Sequence, residues 1–274
     1  MMSVVAIVKG TNPVETTIKA LELIGSEVDR VLSAKKPVLI KPNYINSSPP
    51  STGITTDARV VDGIITFLRA RGVDEIMVGE GSGYADTLHA FSVAGIDTVA
   101  KRWRVKLVDL NKDAFATVNP PEPLSLTSVR VAKTALETTI ISVPKLKIHG
   151  SAKVTLSLKN MMGALASKGI MHNGRLSQNI ADLASVVTPS IAVIDGIIAG
   201  EGHETWGTPL EMNLVIAGTD PVATDAVGSA VMEVPPESVR HLRFAADKGL
   251  GTYDLEKITV LGESIEAVKH KFQR

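Results

Sequence analysis

The chain predicts an α/β fold with a mainly parallel sheet and helices on both faces. Two observations predict it. Short β-branched apolar runs alternate with longer segments of helical period. Most of the runs carry no polar interruption, as expected of strands covered on both faces. The first run is Val4–Val8. A helix follows, with Asn12 as its cap, Pro13 at its first position and Glu15 as capping-box partner. Val38–Lys41 is the second strand. A helix then begins near Thr56-Asp57 and ends at Arg71-Gly72, with a cationic last turn and a glycine stop. Glu75–Gly79 is a strand and Tyr84–Ala94 a helix. Val105–Asp109 and Ile140–Val143 are the next strands. Between them, Asn119-Pro120-Pro121-Glu122-Pro123 marks a small insertion or subdomain at about 115–131 in what is otherwise one α/β domain over 1–274. Helices are expected over Lys153–Ala166 and Ser177–Val186, and strands over Ile191–Ile194 and Leu214–Ala217. Helices over Pro221–Met232 and Glu237–Lys248 lead to a last strand, Ile258–Leu261.

Composition narrows the chemistry. Aromatic residues are 4 % of the chain, so the core is aliphatic. There is no cysteine, which excludes disulfides, thiolate zinc sites, cysteine nucleophiles and a protein-ligated iron–sulfur cluster. Met1–Lys9 lacks the charged start and long apolar stretch of a signal peptide, and no run of about 18 apolar residues spans a membrane. A cytoplasmic protein with no membrane partner is the expectation. The 29 Lys and Arg balance the 29 Asp and Glu. Yet Thr138–Ala181 contains no acidic residue, while it holds Lys145, Lys147, Lys153, Lys159, Lys168 and Arg175, with His149 and His172 beside them. A field of one sign attracts anions.

Open parallel sheets bind ligands beyond the carboxyl ends of their strands, so the residues after each strand are the candidate site. Lys41 and Asn43 follow the second strand. Glu80 and Ser82 sit in Gly79-Glu80-Gly81-Ser82-Gly83, which suits a phosphate cradle and equally a plain strand–helix turn. Lys145, Lys147 and His149 follow Ile140–Val143. Residues two apart on a strand share a face, unless the chain leaves the strand at Pro144. Lys159 and Asn160 lie on an expected Leu- and Met-rich helix, where a lysine also snorkels. Asp195 is a general-base or metal candidate, and Asp195-Gly196 is also a common turn dipeptide. Asp195, Glu201, His203 and Glu204 together offer a divalent-metal site of oxygen and imidazole ligands.

These strand-end residues carry a resemblance. Lys41-Pro42-Asn43, Thr55-Thr56-Asp57-Ala58-Arg59-Val60-Val61, Val78-Gly79-Glu80-Gly81-Ser82-Gly83 and Val108-Asp109-Leu110-Asn111 resemble the domain of unknown function 362 family. So do Val143-Pro144-Lys145-Leu146-Lys147-Ile148-His149-Gly150, Val154-Thr155-Leu156-Ser157-Leu158-Lys159-Asn160, Ile194-Asp195-Gly196-Ile197 and Gly218-Thr219-Asp220-Pro221-Val222-Ala223. The pieces keep the family's order from about residue 38 to 262. Many members carry ferredoxin-like cysteine runs, which this chain lacks. The family's Glu-Gly-x-Gly-Pro is replaced here by Glu201-Gly202-His203-Glu204-Thr205. Thr56-Asp57-Ala58-Arg59 and the His149 segment also resemble parts of the nickel-pincer lactate racemase family, as a hint of shared architecture.

The expected function is binding of a small anionic ligand, phosphorylated or carboxylate, in a crevice at the strand ends of an enzyme. Lys41, Lys145, Lys147 and Lys159 would hold the anion, with Asn43, Ser82 and Asn160 beside it. Glu80, His149, His172 or Asp195 would move protons, and Asp195, Glu201 and His203 would hold a metal. Two other classes remain: a protein that binds RNA or DNA phosphates through the basic segment 145–175, and a non-catalytic regulator on a degenerate enzyme fold. Zero net charge and few aromatics argue against nucleic acid. Homo-oligomerisation is left open.

Overall fold

Every apolar run expected to be a strand is one, and all eight join a single sheet. The structure, a computed structural model, describes residues 2–273. Its strands are β1 (Ser3–Lys9), β2 (Val38–Pro42), β3 (Ile76–Glu80), β4 (Lys106–Asp109), β5 (Phe115–Val118), β6 (Val129–Ala132), β7 (Thr139–Val143), β8 (Lys145–His149), β9 (Lys153–Thr155), β10 (Ile191–Glu201), β11 (Thr208–Gly218) and β12 (Ile258–Gly262). Its helices are α1 (Pro13–Leu23), α2 (Gly25–Leu32), α3 (Ala58–Ala70), α4 (Thr87–Ala94), α5 (Ile96–Trp103), α6 (Lys133–Glu137), α7 (Ser157–Asn160), α8 (Leu176–Ala184), α9 (Pro221–Val231), α10 (Arg240–Asp247) and α11 (Ile265–Val268).

The large sheet runs β12-β1-β11-β10-β7-β2-β3-β4, and β8 pairs with β10 and with β9. Only the pairings of β11 with β1 and β10, and of β8 with β9, are antiparallel. The sheet is covered on both faces because its strands are apolar at consecutive positions. In β2, Val38 and Ile40 join one apolar cluster with Ala20, Val28, Ile64, Phe91 and Val99, from α1 to α5. Leu39 points the other way and joins Ile180, Val227 and Leu242 from α8, α9 and α10. β5 and β6 form a separate two-stranded ribbon. Among the described residues no helix is long and apolar enough to cross a membrane.

The cap and stop signals act as read, while Glu15 makes no capping-box bond back to Asn12 N among the described residues. The Asn12 side chain accepts from the backbone N–H of Val14 and Glu15, and Asp57 accepts from that of Arg59. Gly72 leaves the end of α3 with a φ of 73°.

Three expectations are corrected. No helix spans Lys153–Ala166. Lys153–Thr155 is the strand β9, entered through a left-handed Lys153 with φ of 68°. The helical part is α7 alone, continued by a tight 3-10 turn over Met161–Ala164. The cause is a buried carboxylate. Asp225 of α9 accepts from Ser157 N (2.8 Å), Ser157 Oγ (2.6 Å) and Leu158 N (3.0 Å), which fixes where the helix starts. Second, the chain after Pro144 re-enters the sheet as β8 beside β10, so all of Lys145–His149 is buried. Third, Asp195-Gly196 is no turn. It lies inside β10, whose register against β11 shifts between Gly196 and Ile198.

The Asp225 anchor has a measurable consequence. Asp225→Ala leaves three buried donors without their acceptor, at a cost of about 1–3 kcal/mol. Urea unfolding followed by circular dichroism should show a lower midpoint with an unchanged slope.

Candidate functional site

The parallel register places the expected residues on one edge. Lys41 stands opposite Ser142, Pro42 opposite Val143, and Lys145 opposite Asp195. Loops fix the edge from above. The Thr56 hydroxyl donates to the Val143 carbonyl (2.7 Å) and accepts from Asn43 N (2.8 Å), which ties three strand-end segments together.

Two buried ion pairs form the frame. Lys41 Nζ lies 2.7 Å from Glu80 Oε1, and Lys145 Nζ lies 2.6 Å from Asp195 Oδ2. Neither pair is left to Coulomb attraction alone. Glu80 also accepts from Gly81 N (2.8 Å) and Tyr44 N (3.0 Å). Asp195 also accepts from Asp57 N (2.7 Å) and Ile197 N (3.0 Å). Asn160 clamps the first pair. Its Oδ1 accepts from Lys41 Nζ (3.1 Å) and Asn43 Nδ2 (3.3 Å), while its Nδ2 donates to the Lys41 carbonyl (2.9 Å) and Ser142 Oγ (3.1 Å). Burial pulls the Lys41 ammonium down against the pull of Glu80, and pushes the Asp195 carboxyl up against the pull of Lys145. Tyr44 packs edge-on to Phe91 beside both pairs. Burial, then the charges of Asp195, Asp57 and Glu80, push its phenol well above the usual tyrosine value.

A second group of cations lies beside this frame without such partners. Lys147 is 2 % exposed, and its ammonium donates only to carbonyls, those of Ile54 (2.7 Å) and Glu204 (3.0 Å). Burial, then the charges of Lys159 and Lys145, bring it down to about 7. Lys159 is partly exposed and makes no hydrogen bond or ion pair among the described residues. Burial brings it down to about 8, with Glu204 as the opposing charge. Asn43 Oδ1, Ser82 Oγ, Tyr44 Oη and Thr155 Oγ1 are buried without a hydrogen-bond partner among the described residues.

The histidines take specific roles. His149 Nδ1 accepts from Ser151 N and Ala152 N, each at 3.1 Å. Its ring proton therefore sits on Nε2, 3.4 Å from Glu204 Oε1. Burial, then the charge of Lys159, holds His149 down at about 3, so the ring is a neutral donor rather than a base. His203 stacks on the exposed Trp206 at 3.3 Å between centroids and lies 3.6 Å from Glu204. His172 is exposed, on a 3-10 turn near enough for its charge to act on His149.

The expected metal trio does not assemble. Asp195 is enclosed by Lys145 and two backbone N–H groups, Glu201 accepts from Gln273 N, and His203 turns to Trp206 and Glu204. Among the described residues no three His, Asp or Glu side chains converge as metal ligands. Lys41, Lys145, Asp195 and Asn160 use their polar groups within the chain, while Lys147 and Lys159 do not find carboxylates. Asp57 was legible only as a helix cap; it also holds Arg59 by a two-pronged contact. Burial alone would raise its carboxyl, but the Arg59 hydrogen bonds leave it below the usual range. Asp225 was missed, though an aspartate inside an apolar helix run was the signal.

The comparisons agree with this geometry in placement. The chain belongs to the family described as "Domain of unknown function (DUF362)", whose sequence profile matches residues 38–230. Every residue of both ion pairs and of the Lys147–Lys159 group falls inside that span. The chain is also similar to the thylakoid-associated protein sll1697 of Synechocystis. The two are 26 % identical over 235 residues, covering 78 % of this chain and 68 % of the relative.

Gly163 tests the frame. A Cβ there would overlap Glu80 Oε1 and come within 2.7 Å of Lys41 Nζ. Both atoms are locked in the buried pair, so Gly163→Ala should destabilise the protein by about 1–3 kcal/mol. A thermal melt indistinguishable from the parent would show that the pair is not rigid.

Proposed function

We propose that the crevice at the carboxyl ends of the strands binds a small phosphorylated or carboxylate metabolite and belongs to an enzyme acting on it. One observation carries this reading. Lys41 and Lys145 each contact their own carboxylate, whereas Lys147 and Lys159 contact none: Glu204 is the opposing charge for both, joined at Lys147 by Glu80. Glu204 is itself engaged with His149 and His203. A buried cation without a counter-charge is unfavourable, and a bound anion supplies the missing charge. Lys147, His149 Nε2 and the free donor of Tyr44 would meet the ligand. Lys147, near neutral pH, is the group suited to transfer a proton. Glu80 and Asp195, first considered for that task, are held by their ammonium partners.

A second reading, nucleic-acid binding through segment 145–175, would have to use Lys153, Lys168 and Arg175, which keep some exposure. Lys145 and Lys147 of the basic segment are buried, so they do not reach a phosphate backbone outside the protein.

The proposal has an energetic signature. Lys159→Met removes a half-buried, unpartnered charge, so stability should stay or rise. Sulfate affinity should fall roughly ten- to a hundredfold, the loss of a charge-assisted bond. Lys147→Met should lose affinity similarly, with some stability, because two carbonyls lose their donor. Isothermal calorimetry and thermal melts measure both. If both variants bind sulfate like the parent, the crevice is not an anion site.

The pH dependence follows from the same two groups. An anion favours the charged form of Lys147 and Lys159, which stand at about 7 and about 8 without it. Binding at pH values near 8 should therefore take up protons, and affinity should weaken as pH rises from about 7. Sulfate calorimetry in buffers of different ionisation enthalpy measures the uptake. Zero uptake between pH 7 and 9 would contradict the assignment.

A further inference from the structure

We propose that Lys159 is an amine nucleophile, which forms an imine with the carbonyl carbon of an anionic aldehyde or keto acid bound in the crevice. The inference rests on the anion-site reading and names its substrate class. It comes from a difference among the lysines of the site. Lys41, Lys145 and Lys147 all donate to named acceptors and are buried. Lys159 has no such acceptor among the described residues and keeps a partial opening to solvent. An amine must be unprotonated and reachable to attack a carbonyl, and carboxylate or carbonyl acceptors favour its ammonium form.

The surroundings support that role. Lys159 lies on α7, one residue from Asn160, whose clamp on Lys41 holds the helix against the sheet. Asp225 holds the other end of α7. The charged and titratable groups around the amine come from three elements. Lys147 and His149 belong to β8, Glu204 to the loop after β10 and His241 to α10, while His172 of the 168–172 turn acts on His149. His241 is fully buried with both ring nitrogens unpartnered, and burial, then the charge of Lys159, holds it down at about 3. Burial disfavours the ammonium form of Lys159, against the opposing charge of Glu204. At pH 7.5 an amine near 8 has on the order of a hundredfold more free base than an ordinary lysine.

The step balances without an added reagent. The Lys159 lone pair forms the C–N bond while the carbonyl π pair moves to oxygen. That oxygen takes one amine proton and becomes a hydroxyl. The hydroxyl leaves with the second amine proton, so the products are the imine and one water. Glu204 and Lys147 are placed to relay those protons. The ligand's own carboxylate or phosphate would replace the missing counter-charge at Lys147.

Glyoxylate, a small anionic aldehyde, is the probe, with cyanoborohydride to reduce any imine. The full chain is labelled at pH 7.5 and its peptides are mapped by mass spectrometry. The expected result is modification at Lys159 at least about tenfold faster than at other lysines, slowed by sulfate. Lys159→Arg removes the primary amine and should abolish the fast labelling. Labelling spread over surface lysines, with Lys159 no faster, overturns the proposal. In that case sulfate binding by calorimetry leaves the anion site standing, and its absence removes both. If Lys159→Arg fails to fold, the parent's labelling pattern and its sensitivity to sulfate decide alone.

Discussion

The architecture depends on burying ammonium groups at one edge of a parallel sheet. A lysine inside a strand at that edge has no route to bulk water, so it must find an acceptor or lose its proton. Lys41 and Lys145 find carboxylates on neighbouring strands, Glu80 on β3 and Asp195 on β10. Those contacts require correct register, because a one-residue slip turns each side chain to the other face. The pairs thus specify the alignment of β2 with β3 and of β8 with β10. Backbone donors from Tyr44, Gly81, Asp57 and Ile197 complete them, so the loops that cover the edge are fixed by the same charges. Breaking such a pair from one side costs about 3–5 kcal/mol, because the other charge stays buried.

The short helix α7 transmits this rigidity to the open part of the site. Four residues are too few to be stable alone. Its start is held by Asp225 and its end by Asn160, each through several hydrogen bonds. Burial brings the Asp225 carboxyl up to about 7, against the hydrogen bonds that favour its charged form. Its proton therefore stays on in the fold to far higher pH than in the unfolded chain. The folded state gains stability from this group at low pH and loses it as pH rises from about 4 to about 7. An anchor of this kind holds α7 while Lys159, between the two fixed ends, stays without a partner.

Much of the fold was legible because it is written in one dimension. Val38-Leu39-Ile40 and Ile191-Ala192-Val193-Ile194 read as doubly covered strands wherever they pair. The carboxyl-edge rule then pointed to Lys41, Glu80, Lys145 and Asp195. Their roles were not legible. A lysine reads the same whether a carboxylate from a distant strand reaches it or not, and that partner is set by register. Lys147 and Lys159 differ from Lys41 only in what the fold places beside them. The segment 153–166 misled for a related reason. Its Leu and Met residues have helical spacing, but the capture of Ser157 and Leu158 by Asp225, and the close approach of Gly163 to Glu80, are tertiary. Asp195-Gly196 misled because turn dipeptides also occur at strand irregularities.

On the proposed reading, the distribution of charge favours a small anion over a neutral or a polyanionic ligand. Each ammonium of the frame is cancelled by its carboxylate, and Asp57 is cancelled by Arg59. Lys147 and Lys159, when protonated, touch no carboxylate; Glu204 opposes both charges and Glu80 that of Lys147, without a direct carboxylate contact to either. A neutral ligand would leave those charges buried deeper than before. A polyanion would bring far more charge than the crevice can match, through an opening that leaves Lys147 2 % exposed. A singly or doubly charged metabolite would restore the balance. The rigid pairs and the unmatched lysines therefore have complementary tasks. The former fix the edge around the latter, and the latter keep an unfavourable charge that, on the proposed reading, a ligand would relieve.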